Sequence, residues 1–374
     1  MARLTSRAAA GTRRAAATVP TLALGAVGGA LAFAVDFPLA WMLGALFACL
    51  AASLAGAPLV SPGWLRPPMA MLLGLALGAS FTPETLDRVV GWWPSLALMI
   101  PYLVAVALLG RAYFRIVGGY DRPTAFYAAI PGGLSEMLLL SQAAGADIRR
   151  VALAHAGRIL ATVTLVPLGF ALAFGEPPQA PASAAPHGLG APAHHLLALV
   201  AAGVIAWRLA ERLRLPVAPL LGGLLVSVPA HVLGWTDAVV PLPLLAAAQI
   251  VIGSVAGCRF LGTPPAVVAR IAAESLGFVA LSLGVATAAA ALLAFGGIAD
   301  FPAIVLAYAP GGMTELGLLA LVLGIDAAFV ATHQLARLAV VVAFATIAGG
   351  GRRRGADADA SAPHPSDDAG EKRP

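Results

Sequence analysis

Two short blocks hold the residue types most able to do chemistry in an otherwise apolar chain. Pro131-Gly132-Gly133-Leu134-Ser135-Glu136 recurs as Pro310-Gly311-Gly312-Met313-Thr314-Glu315, an offset of 179 residues. Proline withdraws a backbone donor and paired glycines permit sharp turns, so each block interrupts a helix and leaves backbone groups open to a partner. The hydroxyl and carboxylate that follow stand at the start of the resumed helix, where free N–H groups attract an anionic group or a carboxylate. Ser135, Thr314, Glu136 and Glu315 read as helix caps or as members of a solute or ion site. The second reading is favoured because the element occurs twice and places an ionisable group at membrane depth. Glu136 and Glu315 are the expected protonatable or cation-coordinating carboxylates. Arg158 and Arg337 each follow their glutamate by 22 residues, so a Glu–Arg pair is expected in each half, either structural or part of the site.

The elements that must carry these blocks follow from composition. The chain has 374 residues, 60% hydrophobic and 11% charged, and only 27 of its charged residues lie between Ala15 and Gly351. Soluble domains carry about 25% charge, so a bilayer is the solvent that accepts this stretch. Apolar runs occur near 19–35, 38–55, 67–81, 95–110, 123–143 and 150–174, then near 194–210, 217–235, 244–260, 271–295, 302–323 and 327–348. Each approaches the ~20 residues that cross a bilayer as a helix, and strict strand-like alternation is absent. The reading is an all-α, multi-pass membrane protein. Residues 1–18 form a cytoplasmic basic arm, 19–174 and 194–349 two membrane repeats, 175–193 a Pro-rich linker and 350–374 a disordered tail. A cleaved signal peptide at the first run is the weaker alternative, because the second half contains a counterpart of that run.

Further matches at the same offset, Gly74 and Gly78 with Gly253 and Gly257, Asp147 with Asp326 and Arg158 with Arg337, make the duplication an inference from several blocks in order. With one residue of slippage, the Pro38–Gly44 segment matches Pro216–Gly222. If each Pro-Gly-Gly element crosses fully, both halves point the same way. If each dips in and returns, nearly all arginines fall on the side of the basic arm, with Arg88 the one misplaced. The second arrangement is preferred: two inverted halves, each of about five crossings plus a broken or re-entrant element, a plan recurrent in secondary transporters.

Other features take simpler readings. Asp147 and Asp326 are expected N-caps. Trp41, Trp92, Trp93 and Trp235 are expected at the membrane interface, and the Gly-x-x-x-Gly pairs at close helix contacts. The net charge of +5 arises mainly from the amino-terminal arginines, and no basic stripe suggests nucleic acid. Cys49 and Cys258 have no metal-type spacing, and His155 and His333 are out of register across the repeat. No cofactor, metal or catalytic residue is expected.

The duplicated blocks, together with the Pro-x-x-x-x-Leu-Gly segments, make residues 20–349 resemble the bacterial AbrB family of membrane proteins, which also carries an ammonia monooxygenase label. The resemblance implies a multi-pass inner-membrane protein associated with regulation of gene expression, distinct from the small soluble DNA-binding regulator of the same name. The expected function is secondary transport of a small solute coupled to H⁺ or Na⁺ through Glu136 and Glu315. The alternative is a membrane-embedded sensor acting on gene expression without binding DNA. The expected partners are the lipid bilayer and a small solute or ion, with a homodimer allowed for. The expected site is Pro131, Gly132, Gly133, Ser135, Glu136 and Arg158 with Pro310, Gly311, Gly312, Thr314, Glu315 and Arg337.

Overall fold

A computed structural model describes residues 2–132, 134–174, 193–341 and 343, with side chains from residue 16 onward except those of 134–136, 174 and 193. The linker at 175–193 apart from its last residue, the tail at 350–374, Gly133 and the side chains of Ser135 and Glu136 therefore lie outside the described residues. Within them the chain is all-α, with no strand. The first half runs α1 (Ala2–Ala34), α2 (Ala40–Leu54), α3 (Arg66–Gly78), α4 (Pro83–Val89), α5 (Trp93–Ile116), α6 (Arg122–Ala129), α7 (Leu134–Ala143) and α8 (Ile148–Phe174). The second runs α9 (Ala193–Arg212), α10 (Ala218–Val232), α11 (Leu242–Gly257), α12 (Pro265–Phe295), α13 (Phe301–Tyr308), α14 (Met313–Val322) and α15 (Ala327–Val341). Among the described residues five apolar helical stretches are long enough to cross a bilayer: Ala16–Ala34, Pro83–Ile116, Ile148–Ala173, Leu242–Phe260 and Pro265–Phe295. These helices make the chain a membrane-type helical protein. Proline in the first turn of α3, α5, α6 and α10 to α13 fits where the missing N–H would have no partner in the helix.

The element order repeats in register. α13 and α14 reproduce the bounds of α6 and α7 displaced by 179 residues, and α10 reproduces those of α2 displaced by 178. Asp36 and Leu39 ahead of α2, like Arg214 and Val217 ahead of α10, take left-handed backbone angles. Such angles cost about 1–2 kcal/mol for non-glycine residues, so the same strained turn is held in both halves.

Glycines set the closest approaches between helices. A Cβ on Gly74 would strike the carbonyl oxygen of Leu220 in α10, and one on its counterpart Gly253 would strike that of Met42 in α2. Gly44 presses likewise on the Gly28 carbonyl, and Gly222 on the backbone of Trp207. Each half thus lends the other the same contact, and the Gly-x-x-x-Gly spacing serves helix packing.

The helices sort into two groups. α1, α2 and α3 interleave with α9, α10 and α11, while α5 to α8 pack with α12, α13 and α14. α15 joins the second group where Phe329 and His333 pack on Trp92, which is 3% exposed. Trp92 is therefore a core residue and not an interfacial anchor, because α15 covers it. Trp93 and Trp235 are exposed. α3 against α14 is the main packing between the groups, and Gly317 lets α14 approach Leu77 closely.

Candidate functional site

Each Pro-Gly-Gly block ends one short helix and precedes another. Ile130 and Ala309, at the ends of α6 and α13, adopt extended ψ angles of 127° and 140°. The N–H groups of Gly132 and Gly311 then fold back to those residues' carbonyls, each at 2.9 Å. The same tight three-residue turn is thus built twice. In the first half the chain reverses direction there. The Asp147 N–H, just after α7, donates to Thr124 Oγ1 at the start of α6 over 2.9 Å. Two short helices laid end to end would hold those residues roughly 27 Å apart at 1.5 Å per residue. The element is a helical hairpin.

A break at membrane depth frees backbone carbonyls that need donors. In the second half side chains supply them one after another. Gln334 Nε2 donates to Leu306 and Ala307 at 3.3 and 3.2 Å, and Tyr102 Oη to Tyr308 at 2.6 Å. Arg337 donates Nη1 to Ala309 at 2.6 Å and Nη2 to Gly311 at 2.7 Å, while Thr162 Oγ1 reaches Pro310 at 3.4 Å. The first half repeats part of this scheme. His155, in register with Gln334, donates Nε2–H to the Tyr127 carbonyl at 2.9 Å, and Arg158 Nη1 donates to Ile130 at 3.0 Å. His155 Nδ1 then accepts from Arg158 Nη2 at 3.0 Å.

One helix serves both breaks. α8 carries Arg158, bonded to the first break, and Thr162, bonded to the second. These positions are one turn apart, about 6 Å along the axis. A Cβ on Gly132 would meet Val341 of α15, while one on Gly311 would meet Thr162 of α8. The final helix of each half is therefore wedged against the other half's break. The arrangement brings Pro131, Gly132, Arg158, Pro310, Gly311 and Arg337 together.

Glu315 belongs to a different contact from the one expected. Its 3% exposed carboxylate lies over Gly312 and accepts from Thr314 Oγ1 at 2.6 Å. Its ion-pair partner is Arg66 Nη2 at 3.5 Å, with Arg259 in electrostatic range, whereas Arg337 is spent on backbone carbonyls. The Glu–Arg pair within the second half is thus replaced by one between the halves. Arg66 begins α3, so the pair bridges the two helix groups where they touch. The buried Nη1 of Arg259 has no hydrogen-bond partner among the described residues.

Tyr102, Thr162, Gln334 and Arg66 were not singled out from the sequence. A hydroxyl, amide or guanidinium within an apolar helix was their only signal. Glu274 also escaped notice. Buried in α12, it accepts from Tyr120 Oη at 2.9 Å and from Arg270 Nε at 2.8 Å. Arg88, misplaced by the arginine rule, has a partner in Asp326 at 3.3 Å. Asp147 and Asp326 each accept the N–H of the residue three positions on at 3.0 Å, as helix caps do. Among the described residues no three His, Cys, Asp or Glu side chains are placed to share a metal ion.

Residues 41–349 match the family described as "Transition state regulatory protein AbrB". The chain is 28% identical over 356 residues to "Uncharacterized protein YhjN" of Bacillus subtilis (strain 168), covering 86% of this chain and 89% of that protein. It is 27% identical over 312 residues to "Putative regulator AbrB" of Escherichia coli (strain K12), covering 82% and 87%. No solved structure matches. With the match spanning both blocks and a large chain around them whose described residues are mainly helical, the protein belongs to the AbrB family in its membrane form and not to the small soluble regulators of that name.

Proposed function

We propose that the chain is a secondary carrier of a small solute, coupled to H⁺ or Na⁺, in the bacterial inner membrane, built from two inverted halves. The observation that carries this reading is the meeting of two broken helices on one turn of α8, since sites at paired helix breaks are a recurrent carrier plan. The division into two helix groups supplies parts that can move against one another. Glu315 and Arg66 would latch them: a proton on Glu315 removes the charge that Arg66 pairs with and loosens α3 from α14. Glu136, at the equivalent position of the other break, is the second coupling carboxylate.

In liposomes carrying the purified protein, an imposed pH gradient should drive solute flux that Glu136→Gln and Glu315→Gln each reduce to the level of empty liposomes. Flux surviving both changes would remove the carboxylates from the mechanism. A second reading, a membrane-embedded regulator, draws support from the printed name of the Escherichia coli relative. Under it, deleting residues 352–374 abolishes a transcriptional response while flux is absent from the intact protein as well.

A further inference from the structure

We infer that the solute is a small oxyanion, a carboxylate or phosphate, held between Arg158 and Arg337 where the two breaks meet. This names the solute class of the site proposed above and rests on that carrier reading. Both guanidiniums are buried, at 4% and 5% exposure, and lie within electrostatic range of each other. Two like charges so placed call for negative charge nearby. Among the described residues none of the ion pairs includes either arginine, and the carboxylate of Glu315 is engaged by Arg66. The carbonyl ends of α6 and α13 supply roughly half a negative charge each, which leaves the pair positive.

The donor inventory points the same way. Arg337 uses Nη1 and Nη2 on carbonyls of the second break and Arg158 uses its own on Ile130 and His155, but the buried Nε of Arg158 has no partner among the described residues. A free guanidinium N–H beside two buried positive charges suits the acceptor oxygen of a carboxylate or a phosphate. Tyr102 lies within electrostatic range of both arginines, with its hydroxyl donated to the Tyr308 carbonyl.

The test is thermal unfolding of the full-length protein in detergent with sodium acetate, succinate or phosphate against sodium chloride at equal ionic strength. At least one oxyanion should raise the wild-type midpoint by several degrees, saturably, as ligand linkage requires. Arg158→Lys should weaken that shift and Arg158→Gln abolish it, while Arg208→Gln on the exposed face of α9 should leave it intact. If Arg158→Gln does not fold, the wild-type titration and Arg158→Lys decide. No oxyanion-specific shift in the wild type, or a full shift in Arg158→Lys and Arg158→Gln, would overturn the inference. So would a shift seen only in Glu136→Gln, because Glu136 would then be the counter-ion. Oxyanion binding without flux would sink the carrier reading alone, and flux of cations without an oxyanion shift would sink this inference alone.

Discussion

Leucine at Gly74 or Gly253 is expected to prevent the chain from assembling into a monodisperse protein, whereas leucine at Gly169 or Gly284 is expected to leave it folded. The difference lies in what the new side chain meets. At Gly74 and Gly253 even a Cβ would overlap a backbone carbonyl of the facing helix, of Leu220 and Met42 respectively. A backbone in a packed helix cannot rotate aside as a side chain can, so the helices must separate. Overpacking costs about 1–3 kcal/mol where neighbours can yield, and here they cannot, so a larger loss is expected. Gly169 and Gly284 lie inside α8 and α12 with nothing within 4 Å of the added Cβ, and leucine there gains up to about 1 kcal/mol of helix propensity. Size-exclusion profiles in detergent decide between them. Equal tolerance at all four positions would mean that the interleaving of α2 and α3 with α11 and α10 is wrong.

The second large effect is expected at Arg337. Replacement by leucine leaves the Ala309 and Gly311 carbonyls without their guanidinium donors in a water-poor setting. The Gly311 carbonyl is then orphaned at about 1–3 kcal/mol, while the Ala309 carbonyl keeps the Gly311 N–H and loses a charge-assisted bond worth about 1.5–3 kcal/mol, so a total of about 2–6 kcal/mol is expected. Arg158 caps a single carbonyl and a histidine nitrogen, so Arg158→Leu should lower the unfolding midpoint less than Arg337→Leu. The reverse order, or no loss at either site, would contradict the assignment of these arginines to the breaks.

Much of the helical plan was legible because bilayer burial writes itself into long apolar runs, and because Pro-Gly-Gly cannot continue a helix. The Gly-x-x-x-Gly pairs and the two aspartate caps were legible for the same local reasons. Contacts between the halves were not. Arg337 stands at the same spacing from Glu315 as Arg158 does from Glu136, and spacing along one strand of sequence suggested pairing within a half. The folded chain instead gives Glu315 to Arg66, at the start of a helix in the other half. Thr162 and Tyr102 were equally silent, since their roles depend on carbonyls freed in a distant segment. Trp92 misled because position near a segment end resembles an interfacial anchor until Phe329 of α15 is seen to pack on it.

The central claim is that the two hairpins enter from opposite faces of the membrane and meet inside it. Asp121 and Asp300 are exposed, in register, and stand immediately before α6 and α13. With Cys49 and Cys258 replaced by serine, Asp121→Cys and Asp300→Cys can be treated in intact cells and inverted vesicles with a membrane-impermeant maleimide. The account predicts labelling of residue 121 only from the cytoplasmic face and of residue 300 only from the opposite one. Labelling of both from the same face would contradict it.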